Sequence, residues 1–339
     1  MRPNGLLFTF ANLMILVTGA SGFVGQYLVR ALSARGEAVR ALYHNNMPKP
    51  AELALPGIEW KKADLLDIYD VEEVMQGVTH IYHCAAIVSF QQKLQEKMLH
   101  FNPESTANIV NQALTQGIKK MVYLSSVAAI GRPESSNKEI TEAEEWGESK
   151  YNSAYGISKY MAEMEVWRGI GEGLGAVIVN PGIILGAGDW GKGSAGLMKV
   201  AWNQFPFYTN GVTGWVDVED VVTVLVQLMQ ADVEAERYIL CSGNYSFRNI
   251  FTLMAGALQR KPPFMYASPF VTGLVWRYGK LQNMLGIDAV ITRETARNAH
   301  SISLYNNQKI HTILPEFDYT PIEVTIKKMA KVFLENYKK

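Results

Sequence analysis

Three side chains could carry one reaction together: Ser126, Tyr155 and Lys159. In Tyr155-Gly156-Ile157-Ser158-Lys159 the phenol and the amine stand at i and i+4 of a helix expected over residues 152–168. They therefore share one face, one turn apart. A free phenol titrates at about 10, too high for a base at neutral pH. An ammonium beside it stabilises the phenolate and lowers that value. A phenol tuned in this way can exchange a proton with a substrate oxygen. Ser126, just past a strand expected over residues 120–124, could hydrogen-bond and orient the same oxygen. A Tyr-x-x-x-Lys pair alone is common on amphipathic helices, so its weight depends on the elements around it.

The stretch that organises those elements lies near the start of the chain. Residues 14–17, Met-Ile-Leu-Val, form an apolar run without polar alternation, as expected of a central parallel strand buried on both faces. Gly19, Gly22 and Gly25 follow with G-x-x-G-x-x-G spacing, and residues 23–32 read as a helix. Such glycines serve a tight turn, a close backbone approach to a pyrophosphate, and the packing of helix on strand. The helix start adds free N–H groups and a positive dipole end. The motif stands in the strand–turn–helix context it requires. An oxidised nicotinamide held there would act on Tyr155 in the same direction as Lys159.

A second strand over residues 38–43 ends at Tyr43-His44-Asn45-Asn46, where an adenosine ribose would lie. NAD-preferring sites usually place an acid at this tip. The tip itself has none, Lys49 is nearby, and the reading favours NADP(H) over NAD(H). After a third strand over 58–62, Asp64 could accept a hydrogen bond from an adenine amino group or cap the next helix, expected over 71–77. A fourth strand over 79–83 runs into Cys84-Ala85-Ala86, small residues that let a ligand approach the backbone. A helix over 101–116, the strand over 120–124 ending in Ser125-Ser126, and a sixth strand over 176–179 ending in Asn180-Pro181-Gly182 complete the pattern. This alternation predicts an α/β fold, a Rossmann-type doubly wound parallel sheet with a smaller, C-terminal-weighted substrate-binding region.

Residues 13–182 read as the dinucleotide-binding domain, with 212–241 returning to it. Residues 183–211 and 242–335 read as the substrate-binding region, and 1–12 as an appendage ahead of a start at Met14. The first of these later stretches, rich in Gly and aromatics, is expected to be loop-rich with a helix over 194–202. A helix over 221–230 has Asp217, Glu219 and Asp220 at its positive end, and a strand follows over 237–241. The aromatic cluster over 264–285 reads either as an apolar cover for the cleft or as simple core.

Lys+Arg and Asp+Glu balance at 32 each, which argues against a nucleic-acid partner. Cys84 and Cys241 are too few for a disulfide scaffold and lack metal-ligand spacing, so buried free thiols and no metal are expected. No apolar run approaches the roughly 20 residues that span a bilayer. A cytoplasmic protein is the default expectation.

These motifs together resemble the extended short-chain dehydrogenase/reductases, the class of NAD-dependent epimerase/dehydratases, dihydroflavonol reductases and 3β-hydroxysteroid dehydrogenases. The resemblance covers residues 14–335 and is densest before 220. It implies that Gly19, Ser21, Gly22, Phe23, Val24 and Gly25 form the dinucleotide loop. His44 would lie near the ribose, and Asp64-Leu65 would flank adenine. Ala85-Ala86 would line the cofactor path, and Pro181-Gly182 would border the nicotinamide. Ser126 takes the catalytic serine role and Tyr155 the acid/base role. Lys159 binds the nicotinamide ribose and tunes Tyr155. The family also implies a homodimer through the helices around 102–116 and 152–168.

Two departures stand out. Thr213-Gly214 occupy the place of the Arg that holds a diphosphate in sugar-nucleotide members. Val127-Ala128 stand where dehydratases carry an acidic pair. Hydride transfer to or from a carbonyl or secondary alcohol of a fairly apolar small molecule is therefore the leading expectation. A sugar-nucleotide epimerase with tightly bound NAD is the alternative. A non-catalytic dinucleotide sensor is disfavoured, because both Tyr155 and Lys159 are present.

Overall fold

The computed structural model describes residues 14–131, 138–147, 149, 152–273 and 298–337. The expected appendage 1–12 and most of the aromatic stretch over 264–285 lie outside them. The chain begins with β1 (Met14–Thr18), α1 (Phe23–Ala34), β2 (Ala38–Tyr43), α2 (Pro50–Leu53), β3 (Ile58–Lys62), α3 (Ile68–Met75) and β4 (Val78–His83). It continues through α4 (Gln95–Gln116), β5 (Lys120–Leu124), α5 (Ala154–Gly171) and β6 (Ala176–Pro181). Then come β7 (Ile183–Leu185), α6 (Gly196–Trp202), β8 (Phe207–Tyr208), β9 (Val212–Asp217) and α7 (Val218–Gln230). The described elements end with β10 (Glu236–Leu240), β11 (Gly243–Ser246), α8 (Phe247–Ala257), β12 (Met265–Tyr266) and α9 (Ile322–Tyr337).

Seven strands form one parallel sheet in the order β10-β6-β5-β4-β1-β2-β3. Strand polarity alternates with burial on two faces rather than with exposure. Ile15 and Val17 join Leu28, Leu32, Val221 and Leu225 beneath α1 and α7. Leu16, between them, joins Met75, Ile109, Val110 and Val166 beneath α3, α4 and α5. A strand buried on both sides needs no polar alternation, and that is why residues 14–17 are uniformly apolar. The sheet order reverses direction beside β1, so the C-terminal ends of β1, β4 and β5 open on one crevice where ligands bind in such sheets.

The later chain builds a separate core. β11, β9 and β7 form a small sheet. Trp215, Met198, Ile250, Met254, Ile326 and Phe333 pack together under α6, α8 and α9. Trp190 and Trp202 meet the Phe333 ring, so these two aromatics are core rather than cleft lining. Asp217 caps α7 by accepting from Glu219 N at 2.7 Å. Its second oxygen accepts from Thr325 of α9, while Asp220 accepts twice from Thr320. The acids at the start of α7 thus fasten the C-terminal helix to the sheet domain.

Candidate active site

Ser126 follows β5 in extended conformation and opens a short 3-10 turn, Val127–Ala129, by accepting from Ala128 N at 3.1 Å. The α5 helix starts at Ser153, whose hydroxyl accepts from Gly156 N at 2.8 Å as an N-cap. Gly156 is required by close approach: a Cβ there would sit 2.7 Å from the Ala128 carbonyl oxygen. The first turn of α5 therefore lies directly against the turn carrying Ser126, which sets the Ser126 hydroxyl beside the Tyr155 phenol. Burial holds Tyr155 above the ordinary phenol value, and the nearby Ser126 hydroxyl opposes that rise.

Lys159 stands one turn along α5, only 2 % exposed. Its ammonium is held by the strand beneath: Lys159 Nζ donates to the Tyr123 hydroxyl and to the Leu124 carbonyl, both at 2.8 Å. The cause is depth: α5 packs tightly over β5, and a buried ammonium must satisfy its donors on the nearest strand. Burial lowers the Lys159 value to about 8, partly offset by the Glu163 carboxylate. Two of its three N–H groups are committed to β5, which leaves one for a ligand.

The supporting groups were not singled out from the sequence. His83 at the end of β4 bonds Thr18 Oγ1 at 2.7 Å and Thr106 Oγ1 at 3.0 Å. Its ring stacks on Tyr123. Burial lowers its value to about 3, so it is neutral. Asn102 of α4 accepts from Ile87 N and donates to Ile87 O and to Ser158 Oγ. That clamp fixes the loop after β4, which brings the Phe90 ring edge-on to Tyr155 at 6.0 Å. Glu163 carried a readable signal: it lies four residues beyond Lys159, on the face shared by Tyr155 and Lys159.

The residues assigned to a dinucleotide gather at the C-terminal ends of β1, β2, β4 and β6. Gly22 is the N-cap of α1 and offers no side-chain cap, while Gln26 N makes the first intrahelical bond back to Gly22 O. The N–H groups at the start of α1 point out of the helix as a ready anion site. A Cβ at Gly25 would run into the Gly19 carbonyl, so helix and turn are pressed together at the crevice. Ala85 N donates to Thr18 Oγ1, which closes β4 onto β1. The cradle of free N–H groups and small residues fits a dinucleotide. Ser21, Phe23 and Val24 lie in the same turn and helix start. Phe23 covers Gly186 and Gly188, and Gly182 follows Pro181 with its N–H bonded to Leu240 O.

At the β2 tip the structure adds an acid that linear order did not show. The Asp64 carboxylate lies 3.6 Å from His44 Nε2. Asp64 also accepts from Leu66 N, but the cap of α3 is Asp67, three residues later. The helix-capping alternative for Asp64 is thereby corrected, because α3 begins at Ile68 rather than 71. Arg40 is held by Glu59 and by two carbonyls, Val74 and Gln76, and Leu65 is anchored by Asn108. Cys84 and Cys241 are free thiols. Among the described residues no His, Cys, Asp and Glu cluster could hold a metal, and no helix is long and apolar enough to cross a membrane.

The chain matches the model of the NAD dependent epimerase/dehydratase family over residues 15–241. It is 36 % identical, over 69 % of each chain, to a Synechocystis sp. protein provisionally named a dihydroflavonol 4-reductase. It is 29 % identical to the sterol demethylase protein B of Methylococcus capsulatus, covering 87 % of this chain and 88 % of that one. The crystal structure of gox2253 superposes with a TM-score of 0.80 at 28 % identity, covering 96 % of this chain and 98 % of the other. With its parallel sheet, glycine turn and Ser126–Tyr155–Lys159 cluster, the chain belongs to the NAD dependent epimerase/dehydratase family of extended short-chain dehydrogenase/reductases and is an enzyme that uses a nicotinamide dinucleotide.

Proposed function

We propose that the enzyme moves a hydride between a nicotinamide and the carbonyl or secondary alcohol carbon of a fairly apolar small molecule. The observation that carries this reading is the packing of the first turn of α5 against the Ser126 turn, which sets the Ser126 hydroxyl beside the Tyr155 phenol, with the buried Lys159 one turn along the same helix. When bound, the dinucleotide supplies or accepts the hydride. Ser126 orients the substrate oxygen. In the reductive direction Tyr155 O–H gives that oxygen its proton as the carbonyl carbon gains the hydride, and the phenolate left behind is stabilised by positive charge nearby. Lys159 uses its remaining N–H on the nicotinamide ribose. Gly19, Gly22 and Gly25, with Ser21, Phe23 and Val24, receive the pyrophosphate. Asp64 and Leu65 flank adenine, and Ala85, Ala86, Pro181 and Gly182 border the rest of the path.

Two features favour an apolar carbonyl over a sugar nucleotide. Phe90 walls the phenol with an aromatic edge. Thr213 and Gly214 stand where sugar-nucleotide members carry the Arg that holds a diphosphate, and Gly214 packs tightly against Cys241 and the Tyr305 ring. NADP(H) is the preferred dinucleotide in this reading, with His44 toward its 2′-phosphate. Residues 13–182 and 212–241 serve the dinucleotide, and 183–211 and 242–335 serve the substrate. Two copies pair through α4 and α5, where Met161 and Met164 are left exposed.

The test follows NADPH and NADH absorbance against a panel of apolar aldehydes and ketones, after extraction of any carried-over dinucleotide. Turnover of added NADPH, lost in Tyr155→Phe, is the expected result. Retained turnover in that variant would overturn the role of Tyr155. A tightly held NAD that no carbonyl oxidises or reduces would favour the epimerase.

A further inference from the structure

Glu163 is fully buried, and four different elements converge on its carboxylate. Ser125 at the end of β5 donates to Oε2 at 2.6 Å, and Asn180 at the end of β6 donates to the same oxygen at 2.8 Å. Arg237 of β10 reaches Oε1 at 3.1 Å, and Trp167 one turn along α5 reaches it at 3.4 Å. Arg237 extends the network outward by donating to the Glu142 and Glu144 carbonyls. Those two residues belong to the chain between the Ser126 turn and α5. Asn180 extends it inward by donating to the Ser126 carbonyl at 3.0 Å. Every strand end that borders the assigned site on this side of β4 is therefore tied, directly or through one neighbour, to one carboxylate.

Burying a carboxylate is costly unless its charge and lone pairs are matched, and removing one partner exposes that cost. A fold that needed only a filler between α5 and β6 would be served by an apolar side chain. The groups facing Lys159 define what the carboxylate adds. His83 and Cys84 approach from the end of β4, Tyr123 and the Leu124 carbonyl from β5, and Tyr155 and Glu163 from α5. His83 is neutral, and burial pushes the Cys84 thiol up to about 12, so it is neutral as well. Among the described residues, the Glu163 carboxylate, one turn along the same helix face, is the acidic side chain that favours the charged form of Lys159, and the Arg237 guanidinium stands 3.1 Å from that carboxylate.

We propose that Glu163 is a positioning residue for the reaction, one carboxylate that fixes the ends of β5, β6 and β10 against α5 and serves as countercharge to the Lys159 ammonium. The inference rests on the reading of Lys159 given under the proposed function. It makes Arg237 the outer member of the same device. Removing Arg237 should strengthen the influence of Glu163 on Lys159, whereas removing the Glu163 charge should abolish it. A scaffold role alone has no reason to move Lys159 in opposite directions.

The test is a titration of Lys159 by NMR in the full-length protein carrying 13Cε-lysine, the Lys159 resonance being assigned by its loss in Lys159→Met. In Glu163→Gln the midpoint should fall by about one pH unit or more. In Arg237→Gln it should rise. An unmoved midpoint in either variant, or shifts of the same sign, would overturn the proposal. Should Glu163→Gln fail to fold, Arg237→Gln still decides, since an unchanged or lowered midpoint there is fatal to it. In parallel, kcat for NADPH oxidation should drop roughly tenfold or more in Glu163→Gln. The midpoints read the countercharge without any turnover. Absence of binding of both NADPH and NADH in the unaltered protein would therefore refute the functional reading alone.

Discussion

Lys159 Nζ lies 2.8 Å from the hydroxyl of Tyr123, a residue of the central sheet rather than of the helix that carries Tyr155. The ammonium also sits 4.5 Å from the centroid of that ring. The buried side of the site is thus organised by β5, with Tyr123 in contact with both Lys159 and the stacked His83 ring. The phenol of Tyr155 and the amine of Lys159 share a helix face but not a hydrogen bond, and what joins them in this structure is the strand beneath.

Tyr123→Phe tests that link. It removes one oxygen and leaves a buried N–H of Lys159 unpaired, which costs about 1–3 kcal/mol. Urea denaturation at neutral pH should show a loss of that size with an unchanged m-value. The same experiment on Phe90→Leu, whose ring is partly exposed, should show a much smaller loss.

His83 makes a prediction about acid stability. Its value falls from 6.5 for the free imidazole to about 3 in the folded chain, because burial disfavours the cation. The unfolded chain therefore binds a proton that the folded chain refuses between those two pH values. The stability contributed by neutral His83 is complete above the unfolded value and is lost as pH falls from 6.5 towards 3. The slope approaches about 1.4 kcal/mol per pH unit in that window. His83→Gln, which can keep bonds to Thr18 and Thr106, should flatten the acid limb of a denaturation series between pH 6 and 4, while lowering stability at neutral pH. An identical limb in the variant would assign the acid loss to other groups.

Gly156 yields a prediction about geometry rather than charge. An added side chain meets the Ala128 carbonyl, a backbone atom that cannot swing aside. Gly156→Val should push the start of α5 away from the Ser126 turn, costing about 1–3 kcal/mol of stability. Ser126 and Tyr155 would move apart, and kcat should fall about a hundredfold. Dinucleotide affinity should fall much less than kcat, because the pyrophosphate turn at α1 is not displaced, as NADPH fluorescence titration would show.

Much of this arrangement is visible in the linear chain, because it depends on local signals. The strands at Ala38–Tyr43, Ile58–Lys62 and Lys120–Leu124 have the bounds expected from the alternation of strand-like and helix-like runs. Tyr155 and Lys159 can be paired because both stand on one helix. Helix starts were harder to place. The sequence places one helix over 101–116, and proline is best tolerated in a helix's first turn. The helix actually begins at Gln95 and carries Pro103 inside it. Least legible are contacts made across the sheet. Glu163 and Arg237 are 74 residues apart in sequence, and Lys159 and Tyr123 are 36 apart. No periodicity connects them, and only the stacking of α5 on β5, β6 and β10 brings them together. His44 and Asp64 are a milder case, joined where two adjacent parallel strands end.

That last pair bears on which dinucleotide the enzyme takes. His44 Nε2 and the Asp64 carboxylate are 3.6 Å apart and both about half exposed, at the crevice edge where the adenosine ribose is assigned. A 2′-phosphate entering this corner would gain from the imidazole and be repelled by the carboxylate, whereas a free 2′-hydroxyl could donate to that carboxylate. The two side chains therefore pull preference in opposite directions. Because exposed charge interactions are worth about 0.2–1 kcal/mol, each substitution should shift affinity by only about two- to fivefold. Asp64→Asn should tighten NADPH and weaken NADH, and His44→Ala should weaken NADPH while leaving NADH nearly unchanged. Fluorescence titrations at low and at 0.5 M salt provide the check, because screening should shrink the NADPH effects much more than the NADH effect. If His44→Ala leaves NADPH affinity untouched at low salt, the preference for NADP(H) loses its residue, and NAD(H) becomes the better assignment.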